Sequence, residues 1–185
     1  MPFNQIKKLN GLRRLWHQIP YVLWILSSFG LVTHTQAWAQ SAVPQFLPVT
    51  AQWCLADGGE SADFNPVCID LEVADDHNKR RIGLMQRLPL RSQYGMAFLF
   101  PKAFPISMWM LNTPSSLDMV FVRDEVVIAI KENVPPCRAI PCPSFFADLN
   151  NDGAPDPADS VIELRAGELE RLGVSIGDQV KIQEK

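Results

Sequence analysis

Residues 117–130 read Leu-Asp-Met-Val-Phe-Val-Arg-Asp-Glu-Val-Val-Ile-Ala-Ile, and this stretch decides the fold of the chain. Its two apolar runs, 117–122 and 126–130, are rich in Val, Ile, Phe and Met, which is typical of β-strands. The charged triplet 123–125 between them predicts a hairpin turn, although it lacks the Asn-Gly pair that favours such turns most strongly. The stretch therefore predicts two strands joined by a short turn.

Short apolar runs on both sides of this hairpin predict further strands. Residues 69–73 alternate apolar and acidic side chains, which is the period-two pattern of a half-buried strand. Runs bounded by Pro, Asn or charged residues predict strands at 95–100 and 107–111. Closing strands are expected at 161–164 and 179–182. These elements together predict a domain that consists mainly of β-structure.

The sequence offers room for two short helices. Asp75 or Asp76 can cap a helix that runs to about Gly83, and the basic residues 79–81 suit its last turn. A second helix is expected over 166–172, where Gly173 ends it. The predicted fold class is therefore α+β, mainly β.

A series of short phrases gives the chain a family resemblance. They occur in the order Gly83-Leu84-Met85, Gly95-Met96-Ala97-Phe98-Leu99-Phe100, Trp109-Met110-Leu111-Asn112-Thr113, Leu117-Asp118-Met119-Val120-Phe121, Pro135-Pro136-Cys137 with Cys142-Pro143, and Val161-Ile162-Glu163-Leu164 to Gly177-Asp178-Gln179-Val180. Together, these phrases resemble the sequences of the prokaryotic family called domain of unknown function 192. The resemblance covers Leu47 to Ile182. The resemblance implies a compact barrel-like β domain and almost nothing about activity. The loops 54–68 and 144–160 look enlarged relative to the family.

The first 39 residues have the order of a secretory signal. Basic residues within 7–14 precede an apolar run at 19–32, and Ala37-Trp38-Ala39 supplies the small residues that signal peptidase prefers. The apolar run is shorter than the about 20 residues that a membrane span needs. We therefore expect cleavage after Ala39, a lead segment at 40–48 and one domain at 49–185. The expected location is periplasmic or extracellular, with no membrane span after cleavage.

The composition of the exported part excludes some classes of partner. The first 39 residues hold four of the 17 basic residues and none of the 20 acidic ones, so 13 basic residues remain against 20 acidic ones, a net charge of −7 with His neutral. Nucleic-acid binding depends on clustered Lys and Arg, so no nucleic-acid partner is expected. The remaining length is enough for one buried core.

The four cysteines all lie in the exported part, where an even number favours disulfides. Three pairings are open to four cysteines. We expect the local one, Cys54 with Cys68 and Cys137 with Cys142, because each pair brackets a turn-rich segment. Neither spacing is Cys-x-x-Cys, which disfavours a zinc or redox site.

The stretch 148–159 has the ligand spacing of an EF-hand calcium loop. Such loops supply oxygens from positions 1, 3, 5, 7, 9 and 12. Those positions hold Asp148, Asn150, Asp152, Ala154 through its carbonyl, Asp156 and Asp159. Asp at position 12 replaces the usual Glu, as in the dockerin-type loops that this stretch resembles. Calcium that braces the loop is one interpretation, and a solvated acidic turn without metal is the other.

Trp109, Asn112 and Asp118 form the candidate ligand-binding set. Asp118 is an ionisable residue inside an apolar strand, so burial could raise its pKa and make it a ligand anchor beside Trp109 and Asn112. Alternatively, Asp118 points outward or accepts hydrogen bonds from backbone N–H groups near 113–116, and Trp109 belongs to the core. The sequence leaves both interpretations open.

Reactive groups are scarce in the exported part. His77 is its only histidine, which disfavours zinc sites built from several histidines, and nucleotide-binding and serine-hydrolase motifs do not occur there. The leading interpretation is a noncatalytic domain that binds a small ligand, an envelope component or a partner protein. The alternative is a hydrolase of envelope or glycan substrates that uses carboxylates alone. Asp118 would then lie within about 10 Å of another acid such as Glu132 or Asp70.

Overall fold

The computed structural model describes residues 43–55 and 66–185, which belong to one unit. The expected signal at 1–39, the start of the lead segment and residues 56–65 inside the first cysteine loop lie outside the described residues. The described elements are β1 (Val49–Leu55), β2 (Val67–Ala74), α1 (His77–Ile82), β3 (Tyr94–Pro105), β4 (Leu117–Arg123), β5 (Val126–Val134), β6 (Pro157–Arg165), α2 (Glu168–Leu172) and β7 (Ile182–Glu184). The α+β, mainly β class with two short helices is confirmed.

The strands form one sheet in the order β5-β4-β6-β3-β2-β1-β7. All neighbouring pairs are antiparallel except β2 and β3, which are parallel and joined by the connection that contains α1. The hairpin between β4 and β5 is confirmed. Asp124 and Glu125 have φ values of 51° and 60°, as a primed two-residue turn requires.

The barrel-like description applies only loosely, because the sheet does not close. Its two edges are β5 and β7, and the chain just before β7 reaches β5 through a few backbone hydrogen bonds. Val127 N donates to Asp178 O (2.9 Å) and Val180 N donates to Glu125 O (2.7 Å). The predicted closing strand at 179–182 is therefore displaced. Only Gln179 forms an isolated bridge to β5, and the strand β7 begins at Ile182.

Two other strand assignments differ from the prediction. Residues 107–111 do not form a strand and pair only through isolated bridges, Met108 with Phe145 and Leu111 with Cys137. The apolar character of this region reflects the burial of Ile106 and Met110 in the core rather than pairing in the sheet. Strand β1 was not predicted, because its polar residues weaken the apolar pattern.

Apolar side chains cover both faces of the sheet. One face, beside α1, packs against the segments 84–90 and 106–113, and its core includes Met96, Phe98, Met119, Phe121 and Val161. The other face packs against α2, and its core includes Trp53, Leu71, Val120, Ile162 and Leu164. Because both faces are buried, strands such as β4 have almost uninterrupted apolar sequences rather than a clear alternation.

The helix boundaries follow the predicted caps. Asp76 accepts a hydrogen bond from Lys79 N (2.8 Å) at the start of α1, and Gly83, with φ of 49°, ends that helix. The side chain of Gln45 donates to Lys79 O (2.7 Å) and Gly83 O (3.1 Å), so the lead segment holds the last turn of α1. Gly173 ends α2 in the left-handed region, as predicted.

The disulfide pairing is confirmed: Cys54 bonds Cys68, and Cys137 bonds Cys142. Cys54 and Cys68 are direct cross-strand partners in β1 and β2, whereas Cys137 and Cys142 close a short irregular turn. The expected loop at 144–160 is shorter than its predicted bounds, since β6 begins at Pro157. Within residues 43–55 and 66–185, no helix has the length and apolar content that a membrane crossing requires.

Candidate functional site

A groove lies between α1 and the segment 106–113, on the α1 face of the sheet. Its open part has a volume of about 290 Å³, and a narrower recess of about 20 Å³ adjoins it. Both are lined by Arg80, Arg81, Phe98, Met108 and Trp109, so they form one continuous depression. We call this the α1 groove. The recess has room for about one water molecule.

Glu163 lies at the floor of the recess. It is in the middle of β6, where Met96 of β3 and Met119 of β4 are its direct cross-strand neighbours. Its side chain is almost fully buried (4% exposed), and burial raises the pKa of this carboxyl to about 8. No residue of the described chain forms a hydrogen bond or an ion pair with it. At neutral pH it is therefore a protonated carboxyl that can donate one hydrogen bond and accept others.

Aromatic rings and two arginines form the upper part of the α1 groove. The side chains of Trp109 and Phe104 are 48% and 39% exposed, which is unusual for such large apolar groups. Arg80 Nη1 donates to Leu99 O (2.7 Å), and its guanidinium lies 4.7 Å from the centre of the Phe100 ring. Arg81 is exposed and forms no ion pair within the described residues. It is the cation that remains available to a ligand.

The segment 106–113, which carries Trp109 and forms one wall of the α1 groove, is held by the loop 137–145 rather than by the sheet. Met108 and Phe145 exchange two backbone hydrogen bonds of 2.8 Å. Asn112 N donates to Cys137 O (2.8 Å), and Cys137 N donates to Met110 O (3.1 Å). The disulfide between Cys137 and Cys142 closes the loop that supplies these partners. The second disulfide therefore supports one side of the groove.

Replacing both Cys137 and Cys142 with Ser is expected to loosen this wall. A disulfide that closes so short a loop contributes about 2 kcal/mol in the chain-entropy model. The free energy of unfolding should fall by about that amount. Hydrogen exchange of the amides of Met108 and Asn112 should accelerate at least as much as that of the sheet. Unchanged exchange at these two amides would show that the disulfide does not support the wall.

Asp118 takes no part in the α1 groove. It is fully buried on the opposite face of the sheet, because it is next to Met119 in β4 and side chains alternate along a strand. Its carboxyl accepts hydrogen bonds from Asn133 N (2.8 Å) and from Leu169 N (3.1 Å) in the first turn of α2. Both donors differ from the predicted turn at 113–116. The side chain connects β4, β5 and α2.

Replacing Asp118 with Ala should destabilise the protein by about 2 to 3 kcal/mol, because two backbone N–H groups lose their acceptor. Urea denaturation measures this difference. The Asp118→Asn variant keeps one acceptor oxygen, so it should retain part of the lost stability. An Ala variant as stable as the unchanged protein would contradict the structural role.

The structure does not bring the predicted trio together. Trp109 lines the α1 groove, whereas Asp118 is on the opposite face. Asn112 has a φ of 55° and forms two backbone hydrogen bonds. Its N–H donates to Cys137 O, and its carbonyl accepts from Gln86 N (2.7 Å). Glu163 was not predicted as a site residue. The available signal was an ionisable residue in the apolar run Val161-Ile162-Glu163-Leu164, the same signal that drew attention to Asp118.

In the acidic stretch 148–159, carboxyl groups accept hydrogen bonds from backbone N–H groups of the same stretch. Asp148 accepts from Asp152 N (3.1 Å), and Asp156 accepts from Leu149 N (2.6 Å). Asp159 lies in β6 and accepts from Asp124 N (2.7 Å) at the β4–β5 turn. Among the described residues, no three His, Cys, Asp or Glu side chains are grouped so that they could hold a metal. Calcium binding stays a prediction, which calorimetric titration with millimolar calcium chloride would test.

Comparisons with known proteins place the chain in a family. The family model DUF192, described as uncharacterized ACR, COG1430, matches residues 60–182. A crystal structure of a "putative transcription regulator" from Sinorhizobium meliloti 1021 is 29% identical, covers 73% of this chain and 92% of its own, and has a TM-score of 0.57.

A crystal structure of a protein of unknown function from Novosphingobium aromaticivorans DSM 12444 is similar to the same extent. It is 27% identical, covers 80% of this chain and 98% of its own, and has a TM-score of 0.57. The search of curated proteins found no match. Since the family model matches well over half of the sequence, the chain belongs to the domain of unknown function 192 family.

Proposed function

We propose that this protein is an exported, noncatalytic domain that binds a small polar ligand in the α1 groove. The observation that carries the proposal is Glu163, a buried carboxyl without a hydrogen-bond partner in the described chain that opens onto a recess. Among the described residues, the one side-chain polar atom that is sealed from solvent without a partner is Trp53 Nε1, so the Glu163 carboxyl reaches the recess and can take a hydrogen-bond partner from it. A ligand group, or a water molecule held with it, would supply that partner.

Among the described residues that line the recess and the open groove, Glu163 is the only carboxyl, which supports binding over catalysis by a pair of acids. The alternative interpretation, a hydrolase that uses carboxylates alone, required Asp118 as one of its reactive acids. The carboxyl of Asp118 is buried and already bonded to two backbone N–H groups. Glu163 is separated from Asp118 by the sheet itself, because the two side chains are on opposite faces. Export is supported by the two disulfides, which persist in oxidising compartments.

Amide chemical shifts of the oxidised, ¹⁵N-labelled protein would test the proposal. Separate mixtures of monosaccharides, organic acids and amines at millimolar concentration serve as probes. A ligand of the α1 groove should shift amides in α1 and in the segment 106–113. The variant Ser107→Trp fills the groove and should abolish these shifts.

Ser175→Trp introduces the same ring at an exposed serine that does not line the groove, so it should leave the shifts intact. Shifts that survive Ser107→Trp, or no localised shifts with any class of probe, would contradict the proposed function.

A further inference from the structure

We propose that the ligand of the α1 groove is a sugar that carries a carboxylate group. In this arrangement the sugar ring lies on Trp109, the carboxylate bonds Arg81 and a hydroxyl group points to Glu163. The proposal deepens the proposed function and depends on it. Three independent features of the groove support it: an exposed indole, an uncommitted guanidinium and a buried neutral acid.

Trp109 provides the platform for the ring. Nearly half of its side chain is exposed, and it lines both the open groove and the recess. The C–H face of a pyranose is apolar and flat, so it removes apolar area of the indole from water when the two stack. Phe104 borders the same groove and is also partly exposed. Neither ring is among the residues that form or pack against the two cores.

Arg81 provides the charge that distinguishes an acidic sugar from a neutral one. Arg80 is already engaged by Leu99 O and by the Phe100 ring, whereas Arg81 is exposed at the edge of the groove. A guanidinium binds a carboxylate through two parallel hydrogen bonds. Two adjacent positive charges also repel an ammonium group, so the local field at the groove favours an anionic ligand although the exported chain is acidic.

Glu163 provides the polar contact in the recess. A protonated carboxyl both donates and accepts hydrogen bonds, and a sugar hydroxyl has the same two capacities. The recess of about 20 Å³ admits a hydroxyl group or a single bridging water molecule, but not a ring. The ring therefore has to remain in the open groove beside Trp109, and only a substituent can approach Glu163.

Titration calorimetry with defined probes tests the sugar class. The probes are galacturonic acid, trigalacturonic acid and the neutral sugar galactotriose. We expect the unchanged protein to bind trigalacturonic acid at least tenfold more tightly than galactotriose. Arg81→Gln should reduce that ratio to near one. Trp109→Ala should weaken the binding of both trisaccharides at least tenfold.

Matched controls remove a cation and a ring outside the groove. Lys181→Gln removes an exposed positive charge, and Phe46→Ala removes an exposed ring that lines a different cavity. Both variants should keep the affinity and the acidic preference. Binding that strengthens from the mono- to the trisaccharide supports an extended glycan as the source, and equal binding supports a free sugar acid.

Equal affinity for acidic and neutral trisaccharides, or no heat with any of the three, would overturn the sugar proposal. The proposed function would fail separately, since it requires that some probe class shift amides of the α1 groove. If amines or organic acids without a sugar ring shift those amides while the saccharides do not, the groove remains a binding site and the ligand class is wrong.

Discussion

Replacing Glu163 with Gln should stabilise the ligand-free protein by roughly 4 kcal/mol at pH 8, with almost no effect at pH 4. Burial raises the pKa of Glu163 from 4.5 to about 8 in the folded protein. In the unfolded chain the same carboxyl ionises near its ordinary value. Between these two values the folded protein binds one more proton than the unfolded chain, so its stability falls as the pH rises.

The sign of this dependence is opposite to that of a carboxyl in an ion pair. The destabilising contribution of Glu163 begins near pH 4.5, grows up to about pH 8 and stays constant above it. Gln keeps the shape and the hydrogen-bonding capacity of the protonated carboxyl but cannot ionise. The variant should therefore lack this part of the pH dependence, which urea denaturation at several pH values measures.

Glu170→Gln is the matched control for this experiment. It makes the same chemical change at an exposed position of α2, so it should alter the stability little at any pH. A Glu163→Gln variant whose stability follows that of the unchanged protein from pH 4 to pH 8 would show that Glu163 is not buried as a neutral acid. That result would also remove the main support for the proposed function.

Replacing Arg87 with Met should destabilise the protein by about 3 to 5 kcal/mol, because it leaves a buried carboxylate without its charged partner. Arg87 Nη1 donates to Glu72 Oε1 (2.7 Å), and both side chains are buried. Tyr94 OH donates to the same oxygen, and Leu47 N donates to Glu72 Oε2 (2.8 Å). This network joins the lead segment to β2 and β3.

The double variant Glu72→Gln, Arg87→Met tests whether the cost comes from the unpaired charge. Gln at position 72 can still accept from Leu47 N and Tyr94 OH without carrying a charge. The double variant should therefore be more stable than Arg87→Met alone. Thermal unfolding should show a drop of roughly 10 °C for Arg87→Met and a smaller drop for the double variant.

Lys79→Met is the control for the loss of an ion pair. Lys79 pairs with Asp75 at the surface (2.6 Å), where solvent screens the interaction. This variant should change the unfolding temperature little. If Arg87→Met changed the unfolding temperature as little as Lys79→Met does, the buried Glu72–Arg87 pair would not stabilise the fold.

Much of the local structure could be predicted from the sequence. The hairpin at 117–130 follows from two apolar runs around a charged turn, and α1 follows from Asp76 and Gly83 at its ends. The disulfide pairing follows from cysteines that bracket turn-rich segments. These features depend on interactions between residues that are close in the chain, so their signals are visible without the fold.

The failed assignments share a physical cause. Residues 107–111 are apolar because Ile106 and Met110 fill the core, and an apolar run has the same appearance whether it pairs in a sheet or only packs against one. Strand β7 begins at Ile182 rather than at Gln179, since its partner β1 is distant in the chain. Strand β1 was not predicted because polar residues interrupt its apolar pattern, although Ala51 and Trp53 of this strand are buried in the core.

By itself, the sequence determined the mainly β class, the two helices and the cysteine pairs. It also determined that residues after 39 carry few of the reactive groups and motifs that enzymes use. Only the tertiary structure decided which acid faces the α1 groove. Asp118 and Glu163 have similar apolar neighbours in the chain, but their strands place them on opposite faces of the sheet. Asp118 meets two backbone donors there, whereas Glu163 meets methionines and an open recess. The partners of a buried group come from distant segments, and local sequence does not contain them.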